Sequence, residues 1–281
     1  MTLFITAASF LFVLMVALQI RVYRQLKKQA RLVRLQQQRH ERQKQLLEEL
    51  ISEKQQLISL VSHDLKGPFN RIFALIQLLS MTPDNLTGDQ LNYIGKIHQI
   101  SSDGLSMIRN LLDNRRLEDK GIDLLVENLN LSKLVSTLVK NYTALAEKKK
   151  ITVFFEKSAD IIMQSDKLTL NRIVENLLSN ALKFSYPEKN IWITLSRTEM
   201  NCELKIIDQG PGIGKEDQTK LFQKYQRLAA RPTAGESSTG LGLYLVKNMV
   251  EKLGGTVSYF GDVGRGSEFS IVLPLHAPLS K

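Results

Sequence analysis

"NRIVENLLSNALKFS", residues 171–185, carries two messages in one segment. Ile173, Val174, Leu177, Leu178, Ala181 and Leu182 cover most of a helical circumference, so the segment must be buried on several sides. Asn176, Asn180 and Lys183 recur at i, i+4 and i+7 and therefore share the remaining face. Neutral amide oxygens suit a magnesium ion whose charge is mostly balanced by phosphates. A lysine one turn on can hold those phosphates. Standing alone, a helix with this stripe would turn it to water, so the neighbouring segments decide its meaning.

Downstream, "IIDQGPGIG" (residues 206–214) ends a strand in the carboxylate of Asp208 and follows it with Gly210, Gly212 and Gly214. Glycine permits the positive φ angles and close approach that a bound nucleotide requires. A buried Asp208 can accept a hydrogen bond from an adenine amino group. Next, "STGLGLYLVKNMVEKLGG" (residues 238–255) gives a glycine-rich turn feeding an amphipathic helix with Leu243, Val246, Met249, Val250 and Leu253 on its apolar side. The amino end of such a helix is an anion site. "GRGSEFSIVLPL" (residues 264–275) then returns by a glycine turn into a last strand. Each motif alone is common; the four in this order point to one nucleotide pocket. Strands are predicted at 151–156, 191–197, 202–208, 255–261 and 268–275, and helices at 132–147, 167–184 and 241–253, a mixed α/β pattern.

Upstream the pattern is purely helical. Ile58, Val61, Leu65, Phe69, Ile72, Ile76 and Leu79 form one apolar stripe, and Leu91, Ile94, Ile97, Ser101, Leu105, Ile108 and Leu112 a second. "TPDNLTG" (residues 82–88) between them is a turn by composition, which predicts an antiparallel hairpin. One hairpin cannot bury two broad apolar faces, so two copies should pair as a four-helix bundle, a homodimer. Within "SLVSHDLKGPFN" (residues 59–70), His63 sits about 200° from both Val61 and Leu65, off the main stripe. That position argues against a satisfied core histidine, and no second His or Cys stands at ligand spacing for a metal. Histidine titrates near neutrality, so its uncharged imidazole is available as a nucleophile. Asp64 can accept the ring proton and fix the tautomer, although adjacent helical residues meet only through a bent side chain.

Composition bounds the rest. The 281 residues are 43% hydrophobic, enough for a real core. The single cysteine, Cys202, excludes an internal disulfide framework and reads as core filler in an alternating strand. Residues 21–45 hold nine Lys/Arg against one acid, Glu41, and so carry +8 of the net +10. No nucleic-acid surface is needed to explain the basicity. Just before this cluster, residues 3–20 are uncharged and as a helix span about 27 Å, which predicts a membrane anchor. A signal peptide fits less well, since no basic residue precedes the run and no small-residue cleavage site follows it. The basic cluster marks the cytoplasmic side. Only two residues precede the span, so no external sensor domain is expected in this chain. Residues 21–56 lack proline and glycine and read as a helical stalk. Leu46, Leu50 and Leu57 keep a heptad-like spacing that "QQQRHERQKQ" (residues 36–45) interrupts, leaving a weak coiled coil or a solvated helix.

Over residues 53 to 275 the chain resembles the bacterial sensor histidine kinases, with their H, N, G1, F and G2 boxes in order. The resemblance implies that His63 is phosphorylated with Asp64 as general base. It implies that Asn180, with Asn176 and Lys183 beside it, binds magnesium and phosphates. Asp208, Gly210, Gly212 and Gly214 match the adenine pocket, and Gly240, Leu241 and Gly242 the phosphate turn. "LFQKYQRL" (residues 221–228) resembles the F box, with Phe222 as its aromatic and Arg227 as a phosphate contact. The implied fold is a multi-domain α+β chain. It comprises a transmembrane helix (1–20), a basic juxtamembrane helix (21–52), a dimeric phosphotransfer hairpin (53–118) and an α/β sandwich ATP-binding domain of the Bergerat type (119–277). The implied reaction takes the γ-phosphoryl group of Mg-ATP onto His63 under a mobile lid, residues 215–238, and hands it to an aspartate of a separate response regulator. The implied location is the inner membrane, single-pass, with the kinase domains cytoplasmic. A different Bergerat-fold ATPase would need a further domain and gives the H box no role. A kinase-derived adaptor would not need Asn180, Lys183, Asp208 and the glycines together. Two positions depart from the family pattern: Ser238 replaces the first glycine of the phosphate turn, and Gly67 stands where relatives that dephosphorylate their regulator carry Thr or Asn. Weak phosphatase activity is therefore expected.

Overall fold

The computed structural model describes residues 2–81, 86–118, 124–226, 228–233, 236 and 240–276, with the backbone alone at residues 2–14, 16, 17, 30 and 114–118. The chain divides into two units, residues 1–59 and 60–281. The first belongs wholly to helix α1 (Thr2–Ser80). Its described side chains from Arg21 to Lys54 are exposed, as a segment of Gln, Arg, Lys and Glu predicts. Among the described residues no helix is long and apolar enough to cross a membrane. Most side chains of the expected span at residues 3–20 lie outside the described set, and the backbone there is helical.

In the second unit α1 runs on through Gly67 and Pro68, as the unbroken apolar stripe from Ile58 to Leu79 predicts. Pro68 has no N–H, and the carbonyl of Asp64 therefore lacks its helical donor. Helix α2 (Gly88–Glu118) starts with a reciprocal cap: Gln90 N–H donates to Thr87 Oγ1 at 3.3 Å, and Thr87 N–H donates to Gln90 Oε1 at 2.8 Å. The first four residues of the expected turn, 82–85, lie outside the described set. Ser62 and Ser101 (each 2% exposed) and Ile76 and Ile108 (each 4%) are buried, and the Phe73 and His98 rings meet at 4.6 Å. Small residues admit this close packing; a Cβ on Gly104 would collide with the Phe69 ring. Yet Leu60, Val61, Leu65, Ile72, Leu75, Leu79, Leu91 and Ile97 stay exposed, so one hairpin leaves much of both stripes uncovered.

The α/β part is a five-stranded sheet in the order β2-β4-β5-β7-β6: β2 (Thr152–Lys157), β4 (Asn190–Arg197), β5 (Asn201–Asp208), β7 (Ser267–Pro274) and β6 (Thr256–Gly261). Only the β2–β4 pair is parallel. Strict alternation along β4 and β5 buries Ile191, Ile193, Leu195, Cys202, Leu204 and Ile206 on one face. There they pack in one apolar core with α3 (Leu131–Ala146), α4 (Lys167–Phe184) and α6 (Gly242–Lys252). Asn130 caps α3 and Asp166 caps α4, each side chain accepting a backbone N–H three residues on. The predicted strands and three helices match to within a residue at nearly every end. Unpredicted are β1 (Val126–Asn130) and β3 (Ile162–Asp166), which pair antiparallel as a separate ribbon, and the short α5 (Lys215–Gln218). Val126, Glu127 and Asn128 are all exposed, so β1 carries no alternation to read.

The two hairpin glycines should respond oppositely to alanine. Gly104→Ala forces the Phe69 ring to move and is expected to cost about 1–3 kcal/mol. At Gly67 a Cβ meets nothing within 4 Å, and Gly67→Ala should stabilise the helix by about 0.5–1 kcal/mol. Denaturant unfolding of the two variants checks this; a shift of the same sign in both would contradict the packing described.

Candidate active site

β5 delivers Asp208 to the floor of a pocket, where it is 3% exposed. Gly210 N–H donates to its Oδ1 at 2.8 Å, and Ser267 donates as well. Burial nevertheless dominates and pushes the carboxyl up to about 6, the donors offsetting only part of the desolvation. The turn beneath is close-packed. Gly212 has φ +67°, and a Cβ there would run into the Asp262 carbonyl. Gly214 differs: its φ is −67°, it sits at the N-cap of α5, and a Cβ would stand 3.7 Å from Val263. The expected glycine requirement thus does not extend to Gly214.

α4 forms a wall. Asn176 Nδ2 donates to the Arg172 carbonyl at 2.8 Å, which turns its Oδ1 away from that bond and towards α6. A Cβ on Gly242, the first residue of α6, would lie 3.3 Å from Asn176 Oδ1 and 4.0 Å from Asn180 Nδ2. The amide stripe and the amino end of α6 therefore face each other across the pocket. Gly240 enters this turn at φ +68°, where a side chain would strike the Gln226 carbonyl. Leu241 is buried (2% exposed) and its carbonyl accepts from Leu245 N–H, so it anchors the turn from the core. Phe222 packs half-buried against the same core. Arg227 lies outside the described residues.

The far wall comes from the hairpin. Asp103, Met107 and Asn110 of α2 line the pocket. Lys183 Nζ lies 3.7 Å from Asp103 Oδ1, and Arg172 pairs with Asp113 while its Nη2 donates to Asn110 Oδ1 at 2.6 Å. Sequence reasoning missed Arg172, Asp103, Asn110 and Asp113, because nothing in either helix alone says which polar residues will meet. His63 is not among the pocket-lining residues. Its side chain is 87% exposed, and Nδ1 lies 3.2 Å from Asp64 Oδ1, the bent contact that neighbouring positions require. With Nδ1–H donating to the carboxylate, Nε2 keeps its lone pair. Gly67, one turn on, offers no side chain beside it. Among the described residues no cluster of His, Cys, Asp or Glu is arranged to hold a metal. The Asn176 and Asn180 amides fit a magnesium ion whose charge a polyphosphate neutralises.

Two protein families match this chain. Residues 53–120 match the His Kinase A (phospho-acceptor) domain, and residues 165–277 match the histidine kinase-, DNA gyrase B- and HSP90-like ATPase domain. The sensor histidine kinase YcbM of Bacillus subtilis is 26% identical over 218 residues, covering 77% of this chain and 70% of that protein. The circadian input-output histidine kinase CikA of Synechococcus elongatus is 30% identical over 225 residues, covering 79% of this chain but only 30% of that protein. Full-length ShkA, solved in complex with AMPPNP, superposes with a TM-score of 0.61 at 24% identity over 80% of this chain and 47% of that one, a likeness of fold. Both domains occur here in the same order, the phosphoacceptor hairpin before the ATPase sandwich, and the chain belongs to the bacterial two-component sensor histidine kinases.

Proposed function

We propose that the chain autophosphorylates His63 from ATP and passes the phosphoryl group to an aspartate of a separate response regulator. The observation that carries this reading is Asp208, a carboxylate 3% exposed on a pocket floor that also meets the amide stripe of α4 and the amino end of α6. The ionised Asp208 accepts a hydrogen bond from the adenine amino group. Asn176, Asn180 and Lys183 take the phosphate end, with α6 supplying backbone N–H groups. Asn180, seconded by Asn176, would hold a magnesium ion, which neutralises phosphate charge when bound. Nε2 of His63 attacks the γ-phosphorus in line. The new N–P bond forms as the bond to the departing ADP oxygen breaks, and Asp64 holds the Nδ1 proton of the ring. Catalysis is thus mainly positioning and charge neutralisation.

Three further assignments belong to the same reading. The exposed apolar faces of α1 and α2 support a homodimer in which two hairpins close a four-helix bundle. The uncharged run at residues 3–20, followed by nine basic residues, supports a single-pass anchor in the inner membrane with the kinase domains cytoplasmic. The confinement of +8 of the net +10 to residues 21–45 speaks against a nucleic-acid partner.

Incubation with γ-labelled ATP is expected to place an acid-labile, base-stable label on the protein. His63→Gln should abolish that label and leave ATP binding intact, whereas stable label on the variant would remove His63 as the acceptor. The second test uses pH. Adenine binding favours the ionised Asp208, so nucleotide affinity is full above about pH 6 and falls as pH drops through that value. Calorimetry at pH 7.5 and pH 5 should show a loss of up to about tenfold, since one pH unit below the pKa leaves about a tenth ionised. Asp208→Asn should bind weakly at both values; an unchanged affinity would take Asp208 out of the adenine site.

A further inference from the structure

The last carbonyls of α4 find an unusual partner. A helix end leaves four such groups without intrahelical donors. Here Lys149 Nζ donates to the carbonyls of Leu182 at 2.9 Å and Lys183 at 3.3 Å. Lys149 is distant in sequence: it ends the single 3₁₀ turn Glu147–Lys149 after α3, and Lys150 then turns the chain at φ 57°. The same ammonium lies 3.1 Å from Thr233 Oγ1 and 2.7 Å from Glu236 Oε1. Thr233 completes the junction: its N–H donates to the Lys183 carbonyl at 3.0 Å, and its hydroxyl lies 2.7 Å from the Ser185 carbonyl.

A solvent-exposed ion pair would add little. This one is different, since the Lys149 and Glu236 side chains are 14% and 10% exposed and the cation sits at a helix carboxyl end, where the dipole favours it. Plain capping of α4 would need only the two carbonyls. The ammonium goes further and holds two points of the segment between the F-box turn and Gly240. We propose that Lys149 is a positioning residue for the phosphate end of the nucleotide site. Through the α4 carbonyls it sets where the Lys183 side chain begins. Through Thr233 and Glu236 it holds two described residues that precede the phosphate turn. The described partners of the ammonium are the α4 carbonyls, Thr233 and Glu236, and Asp208 is not one of them. The inference rests on the nucleotide reading above and adds a residue that carries no chemistry itself.

ATP and adenosine, titrated separately against the full chain, distinguish the roles. Lys149→Met keeps the aliphatic stem and removes the ammonium. It is expected to weaken ATP binding on the order of tenfold, as loss of a charge-assisted contact does. Glu236→Gln keeps shape and should show a smaller loss in the same direction, and the double variant should fall short of the sum. Adenosine affinity should stay at the wild-type value in all three. Unchanged ATP affinity in both single variants would overturn the proposal. So would a parallel loss of ATP and adenosine, which a purely structural lysine produces. If Lys149→Met does not fold, Glu236→Gln decides, because a neutral isostere preserves packing. Wild-type protein that binds neither ligand would overturn the reading of the pocket itself, whereas wild-type binding with indifferent variants overturns this inference alone.

Discussion

A helix pressed into a core can leave only one strip of itself open, and the whole site follows from which strip α4 keeps. Leu170, Ile173, Val174, Leu177, Leu178 and Ala181 are each at most 3% exposed, held by the sheet and by its neighbours α3 and α6. The side left open carries the row Asn176, Asn180, Lys183, with Arg172 and Ser179 next to it. Because hydrophobic burial fixes the rotation of α4 about its axis, it also fixes where three polar side chains point. The sheet then brings Asp208 beneath that row, and the glycine turn before α6 brings backbone N–H groups against it. Function here is a by-product of packing that leaves a gap.

The proposed nucleophile stands outside that gap. His63 lies on the exposed side of α1, whereas the hairpin residues that wall the pocket come from α2. Lys183 faces Asp103, and Arg172 reaches Asp113 and Asn110. On the proposed function, phosphoryl transfer therefore requires these hairpin contacts to be remade so that the pocket can present its phosphate end to His63. These ion pairs and hydrogen bonds are polar, and Leu111 of α2 packs beside them against the α/β core.

Much of this was legible from residue order. α4 was expected at 167–184 and runs from Lys167 to Phe184, because cap, apolar periodicity and terminal polar residue all agree. The strands of the main sheet alternate so regularly that their ends were legible almost to the residue. Failures share one cause, dependence on distant partners. β1 and β3 exist because each pairs with the other across 31 intervening residues. Gly214 was grouped with Gly212, which needs its positive φ, and Gly210, where a Cβ would meet the Phe184 carbonyl, and it shares neither constraint. Lys149 hid in a run of three lysines, where nothing local separates the half-buried one from its exposed neighbours.

The central claim is geometric: one pocket, with adenine at Asp208 and phosphates between the α4 stripe and the α6 amino end. A crystal structure of the protein with bound ADP tests it most directly. The account predicts the adenine amino nitrogen about 3 Å from an Asp208 carboxylate oxygen, with the phosphates beside Asn180 and Lys183 at the start of α6. Nucleotide bound in that pocket with its adenine turned away from Asp208, or bound elsewhere on the chain, would contradict it.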